Sequence, residues 1–294
     1  MDKTLSSFIE EKKQLVEVEL KRYLNTLEVP RRLKDSMLYS LEAGGKRLRP
    51  ILLLASYKAY GGEGDKALSA AAGLEMVHTY SLIHDDLPAM DDDDLRRGKP
   101  TNHKVFDEAT AILAGDALLT YSFEIILNDP QLNGEEKLSL TKALSHAAGP
   151  AGMVGGQIQD MQAEKNPVTL EELETIHDMK TGELLKFAVY AGAYLANANE
   201  KQLGHIQQFA YYLGLIFQVQ DDILDVTGEE DKIGKAVGSD QNNEKSTYPK
   251  LLGLDGAIDK KYRYVQQAKA ALESAGANGT LLESLADFFS ERDH

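Results

Sequence analysis

Residues 217–228 read FQVQDDILDVTG. On a helix, Gln218, Asp221, Asp222 and Asp225 fall three and four positions apart and share one face. Phe217, Val219, Ile223, Leu224 and Val226 confine that face to a narrow polar stripe. Three carboxylates on one stripe repel each other, so either water or a polyvalent cation must stabilise them. A solvated face is the ordinary solution for a lone acidic triplet, but the apolar flanks here predict a buried helix lining a cavity. The chain must therefore fold into something thick enough to wrap such a helix.

The remaining pattern predicts an all-α fold. Pro50 stands where a helix starts, ILLLASYKAY follows, and Gly61-Gly62 stops it. Asp65 reads as an N-cap for a helix running through His84. Further helices are predicted over 108–127, 134–148, 170–198, 200–225 and 255–275. Alternating, β-branched segments are missing, so strands are not expected. The chain has 294 residues, 43% of them apolar, enough for a large core. Length alone suggests about two domains, but with no linker or low-complexity tract the expectation is a single domain over residues 1–294. Cysteine is absent, which fits a reducing compartment. The first residues read as an amphipathic helix rather than a signal peptide. Purely apolar runs such as 51–55 fall far short of a membrane span. Together these predict a cytoplasmic protein without stable membrane insertion. A net charge of −15 repels nucleic acid and anionic lipid, so any bound anion needs a local basic cluster or metal ions.

A second acidic cluster, HDDLPAMDDDDLRRGKP, spans residues 84–100. Asp85 and Asp86 close a helix that His78 and Ser81 also line. Pro88 cannot continue it, so the chain bulges and brings Asp91 back towards Asp85. Carboxylates without cysteine, and without histidine at ligand spacing, favour hard cations, magnesium above all. The alternating aspartates and central glycine of a calcium-binding EF-hand are missing. Arg96, Arg97 and Lys99 follow at once, and guanidinium beside a magnesium site holds phosphate. Diphosphate is the anion that fits best.

Three further stretches are basic. GGKRLRP, residues 44–50, puts Lys46, Arg47 and Arg49 at a helix start, where phosphate is attracted. MKTGELL, residues 179–185, sets Lys180 and Thr181 beside Gly182 within a long apolar helix. A mid-helix glycine costs about 1 kcal/mol, so this is either a close helix crossing or a local kink aiming Lys180 and Thr181 into a cavity. The polar stretch 234–249 carries Lys235 and Lys245 and, following the second acidic cluster, reads as a lid over a diphosphate.

With GGKRLRP, HDDLPAMD, RRGKP, KTGELL, FQVQDDILD and GKAVGSD…KST in this order, the whole sequence resembles the bacterial farnesyl diphosphate synthases, members of the short-chain trans-isoprenyl diphosphate synthase family. The resemblance implies an all-α bundle around a deep central cavity, usually a homodimer, with two aspartate-rich motifs facing each other across its mouth. Asp85, Asp91 and Asp221 would be the main magnesium ligands, supported by Asp86, Asp222 and Asp225, with about three ions per active site. Arg96, Lys180, Gln218, Lys235 and Lys245 would hold the allylic diphosphate. Lys46, Arg49, His78 and Arg97 would hold isopentenyl diphosphate. The Thr181 hydroxyl and Lys180 carbonyl would stabilise the allylic cation, and released diphosphate would take the last proton. His84 is then a packed neighbour of Asp85 and not a base.

Tyr80 lies five residues before Asp85, about 7 Å back along a helix axis. There, with Ser81, it would floor the pocket for the growing chain. An aromatic at that place and four residues between Asp86 and Asp91 match the farnesyl pattern and imply a fifteen-carbon product. Geranylgeranyl or longer-chain synthesis is the alternative. A terpene cyclase, a catalytically silent subunit and a metal-dependent phosphohydrolase fit less well. They call respectively for an Asn/Ser/Glu second motif, lost aspartates, and histidine ligands among the aspartates.

Overall fold

The computed structural model describes residues 3–164, 166–227 and 246–292. The helices are α1 (Lys3–Thr26), α2 (Arg31–Leu41), α3 (Leu48–Ala59), α4 (Leu68–Asp85), α5 (Asn102–Val105), α6 (Glu108–Leu127), α7 (Gly134–Ala148), α8 (Met153–Ala163), α9 (Leu170–His177), α10 (Glu183–Leu195), α11 (Glu200–Thr227), α12 (Tyr248–Ser274) and α13 (Thr280–Glu291). They form two compact units. The first comprises residues 1–6, 55–63 and 143–294, and the second residues 7–54 and 64–142.

In the second unit, α4 packs against α6. Nearly every side of α4 is buried from Leu68 to Val77. Its run of small residues lets the helices close in, and the hydrogen of Gly73 faces the Ser122 carbonyl of α6. Asp107 starts α6 by accepting from the Thr110 amide at 2.7 Å. By length and composition, α6 alone among the described helices is long and apolar enough to cross a membrane. In the first unit, α11 packs against α10, α12 and α13. Thr169 and Glu172 form a reciprocal capping box that starts α9.

Besides the helix expected over 255–275, which starts earlier, at Tyr248, three expectations change. Asp65 does not cap α4 with its side chain. A turn precedes that helix, and only the Asp65 carbonyl takes part, accepting from Leu68 N at 2.9 Å. The helix expected over 170–198 is interrupted by a single π-helical turn at Asp178–Gly182. Finally, a two-residue hairpin, β1 (Leu95–Arg96) and β2 (Lys99–Pro100), stands where no strand was expected. Arg97 and Gly98 turn it with φ of 54° and 75°, the pair of positive angles a type I′ turn requires.

Candidate active site

In the second unit the turn after α4 closes as Pro88 demands. The Asp91 amide donates to the Asp85 carbonyl at 2.9 Å, and the Asp92 amide to Leu87 O at 3.1 Å. The two ends of the Asp-Asp-x-x-x-x-Asp sequence are thus brought together by backbone. The hairpin then separates two adjacent arginines. Arg96 Nε donates to Asp86 at 2.5 Å, while Arg97 Nη1 donates to the Gly44 carbonyl. Burial pushes the Asp86 carboxyl up to about 6, against the pull of the Arg96 guanidinium. At neutral pH it is ionised and bonded.

The 44–50 stretch also sorts its cations. Arg47 turns inward with φ 51°, and its Nη1 donates to Glu75 at 2.6 Å. Both residues are buried, at 4% and 1% exposure. Of the three cations expected at this helix start, Arg47 is therefore a brace. Lys46 and Arg49 remain half-buried, and Arg49 Nη1 donates to His78 Nε2 at 3.3 Å. Burial, then the charges of Arg49, Arg97, Arg47 and Arg96, hold the His78 pKa well below the ordinary histidine value. The imidazole is neutral at pH 7, and the four guanidinium groups mark a positive corner suited to an anion. The Ser81 hydroxyl donates to the His78 carbonyl at 2.9 Å. Tyr80 is buried and meets His84 edge-on, with ring centroids 5.6 Å apart.

The first unit carries the other cluster. The π-turn holds Lys180 and Thr181, and such turns recur at functional sites because they redirect side chains. At Gly182 the backbone is locally rewound, and α11 crosses closely, its Gly214 facing Gly182. The Thr181 hydroxyl donates to Gln218 Oε1 at 3.1 Å, so two of the expected groups meet. Lys180 Nζ lies 2.5 Å from Asp160 of α8. The aspartates of α11 have different surroundings. Asp222 accepts from Tyr248 N at 2.8 Å and so ties down the start of α12. Asp221 accepts from Arg292 Nη2 at 2.5 Å. Asp222 and Asp225 are buried. Arg292 also donates to Phe217 O at 2.8 Å and stacks 3.8 Å from the Phe217 ring. The Arg292 carbonyl accepts from Gln220 at 2.7 Å. Lys235 and Lys245 lie outside the described residues.

Among the described residues, no three acidic or histidine side chains converge on a closed metal cage. The donors on offer are carboxylate oxygens with arginines beside them. That set fits a hard cation that keeps several waters and takes its remaining ligands from a diphosphate, as magnesium does.

All-α scaffolding, two aspartate clusters and their flanking cations define an enzyme of the isoprenoid synthase type. The chain belongs to the polyprenyl synthetase family, whose model matches residues 30–279. It is 52% identical to a farnesyl diphosphate synthase of Geobacillus stearothermophilus over 293 residues, covering 99% of each chain. A farnesyl diphosphate synthase of Bacillus subtilis (strain 168) is 52% identical over 296 residues, 100% of both. Among solved structures, an FPP/GFPP synthase from Zymomonas mobilis superposes with TM-score 0.87 at 37% identity, covering 97% of this chain and 98% of that one.

Sequence reasoning missed Asp160 and Arg292. The one local signal for Asp160 was Gly156 four residues earlier on the same helical face. Arg292 stands near the end of the sequence with nothing around it to mark it.

Proposed function

We propose that the protein condenses isopentenyl diphosphate with dimethylallyl or geranyl diphosphate, head to tail and trans, to give farnesyl diphosphate. The observation that carries this is 52% identity over the whole chain to farnesyl diphosphate synthases. Asp85, Asp91 and Asp221, with Asp86 and Asp225 beside them, would hold magnesium, which supplies positive charge to the departing diphosphate. Arg96, Lys180, Gln218, Lys235 and Lys245 bind the allylic diphosphate and stabilise its growing charge. Lys46, Arg49, Arg97 and neutral His78 bind isopentenyl diphosphate. The Thr181 hydroxyl, oriented by Gln218, and the Lys180 carbonyl face the allylic cation. The alkene attacks that cation, and the diphosphate takes the proton released, so no side chain acts as base. The purified protein, given isopentenyl and geranyl diphosphates, should form farnesyl diphosphate only when magnesium is present. A twenty-carbon product would shift the reading to geranylgeranyl synthesis, and no prenyl product at all would overturn it.

Tyr80 floors the pocket in this reading, with Ser81 beside it. Tyr80→Ala should lengthen the products, seen by chromatography of the dephosphorylated alcohols; an unchanged fifteen-carbon profile refutes the floor. The acidic surface and the sequence context support a cytoplasmic enzyme that inserts in no membrane and binds no nucleic acid. Exposed Ile112, Leu113 and Leu127 on α6 support a homodimer that covers them. A solution mass near 32.4 kDa, that of one chain, would overturn the dimer.

A further inference from the structure

Helix α8 touches Lys180 at two points. Gly156 lies against its backbone: a Cβ there would stand 2.3 Å from Lys180 N and 2.7 Å from Lys180 Cα, so no residue with a side chain fits without moving the π-turn. One helical turn later, on the same face, Asp160 lies 2.5 Å from Lys180 Nζ. The neighbouring acid on the turn, Asp178, is engaged elsewhere, 2.7 Å from Lys186. The backbone and the ammonium of Lys180 are therefore both seated by α8. The Asp160 and Lys180 charges also reach buried His177, whose pKa burial lowers to about 4, with Asp160 raising it and Lys180 lowering it further.

We propose that Asp160 is a positioning residue for prenyl transfer: it holds the Lys180 ammonium in the orientation in which an allylic diphosphate meets it. This rests on the reading of Lys180 as a diphosphate-binding residue. A lysine on a free four-carbon stem loses rotamer freedom when it captures an anion. Pairing with Asp160 removes that freedom before the ligand arrives. The ammonium has three donors, so it can serve diphosphate oxygens while still bonded to Asp160. In this role the carboxylate acts through Lys180.

The test compares full-length wild type with D160N, D160E, K180M and the D160N/K180M double variant. D160N is isosteric at a side chain 22% exposed, and circular dichroism checks its fold. D160N should raise KM for the allylic diphosphate about tenfold with kcat within about twofold. Calorimetric titration of inorganic diphosphate with magnesium should weaken to match. D160E should recover most of the loss, and on the K180M background D160N should change nothing further. Unchanged KM and diphosphate affinity in D160N would overturn the proposal. So would an equal loss with or without the Lys180 ammonium, which marks a purely structural role. A K180M enzyme as good as wild type would instead overturn the reading of Lys180.

Discussion

Asp221→Asn should cut kcat about a thousandfold, the scale of losing a group that stabilises developing charge, and leave the fold nearly as stable. The amide oxygen can still accept from Arg292, so the 2.5 Å contact keeps a hydrogen-bonded form. It carries no charge with which to hold a divalent cation. Its neighbour should behave in the opposite way. Asp222→Asn weakens the bond to Tyr248 N that starts α12, costing about 1 kcal/mol of stability, with kcat little changed. Steady-state kinetics and thermal unfolding of the two variants, side by side, check both halves. If Asp222→Asn lost as much activity as Asp221→Asn, the division of labour assigned to this stripe would be wrong.

Arg47→Met should destabilise the protein by roughly 3–5 kcal/mol, the usual cost of leaving one member of a buried ion pair alone. Glu75 is 1% exposed, and its Oε2 already lacks a hydrogen-bond partner among the described residues. Removing the guanidinium from Oε1 leaves the carboxylate with its charge uncompensated in a buried site. Arg47 also donates to the Leu41 carbonyl and lies 3.5 Å from Glu17. It therefore ties α1, α2 and α4 to the turn that presents Lys46 and Arg49. Replacing both partners, as in Arg47→Met with Glu75→Leu, should regain most of the stability, because an apolar pair of similar volume pays no desolvation penalty. KM for isopentenyl diphosphate should stay raised in the double variant, since the turn has lost its brace. Denaturant melts of the single and double variants test the first claim, and initial rates the second. A melt of Arg47→Met within 1 kcal/mol of wild type would mean that the pair is not buried in solution.

Much of this molecule was legible in the sequence wherever the governing geometry is local. Helical periodicity set α6 and α7 to the residue. The spacing of Gln218, Asp221, Asp222 and Asp225 put them on one stripe, and Pro88 required the turn that returns Asp91 to Asp85. Each of these depends on bonds and angles spanning a few residues, which the order of side chains specifies directly.

Division of roles between neighbours came only from tertiary structure. Arg96 and Arg97 are alike in sequence; a type I′ hairpin sends one to Asp86 and the other to Gly44. Asp221 and Asp222 are adjacent, yet one meets Arg292 from the chain's end and the other the start of α12. Arg47 is buried against Glu75 while Lys46 and Arg49 stay half-buried, and Lys180 finds Asp160 across from the π-turn. Successive helical residues point about 100° apart, so each looks towards a different neighbouring element. Which element lies there is settled by the packing of segments distant in sequence, and local spacing carries no record of that.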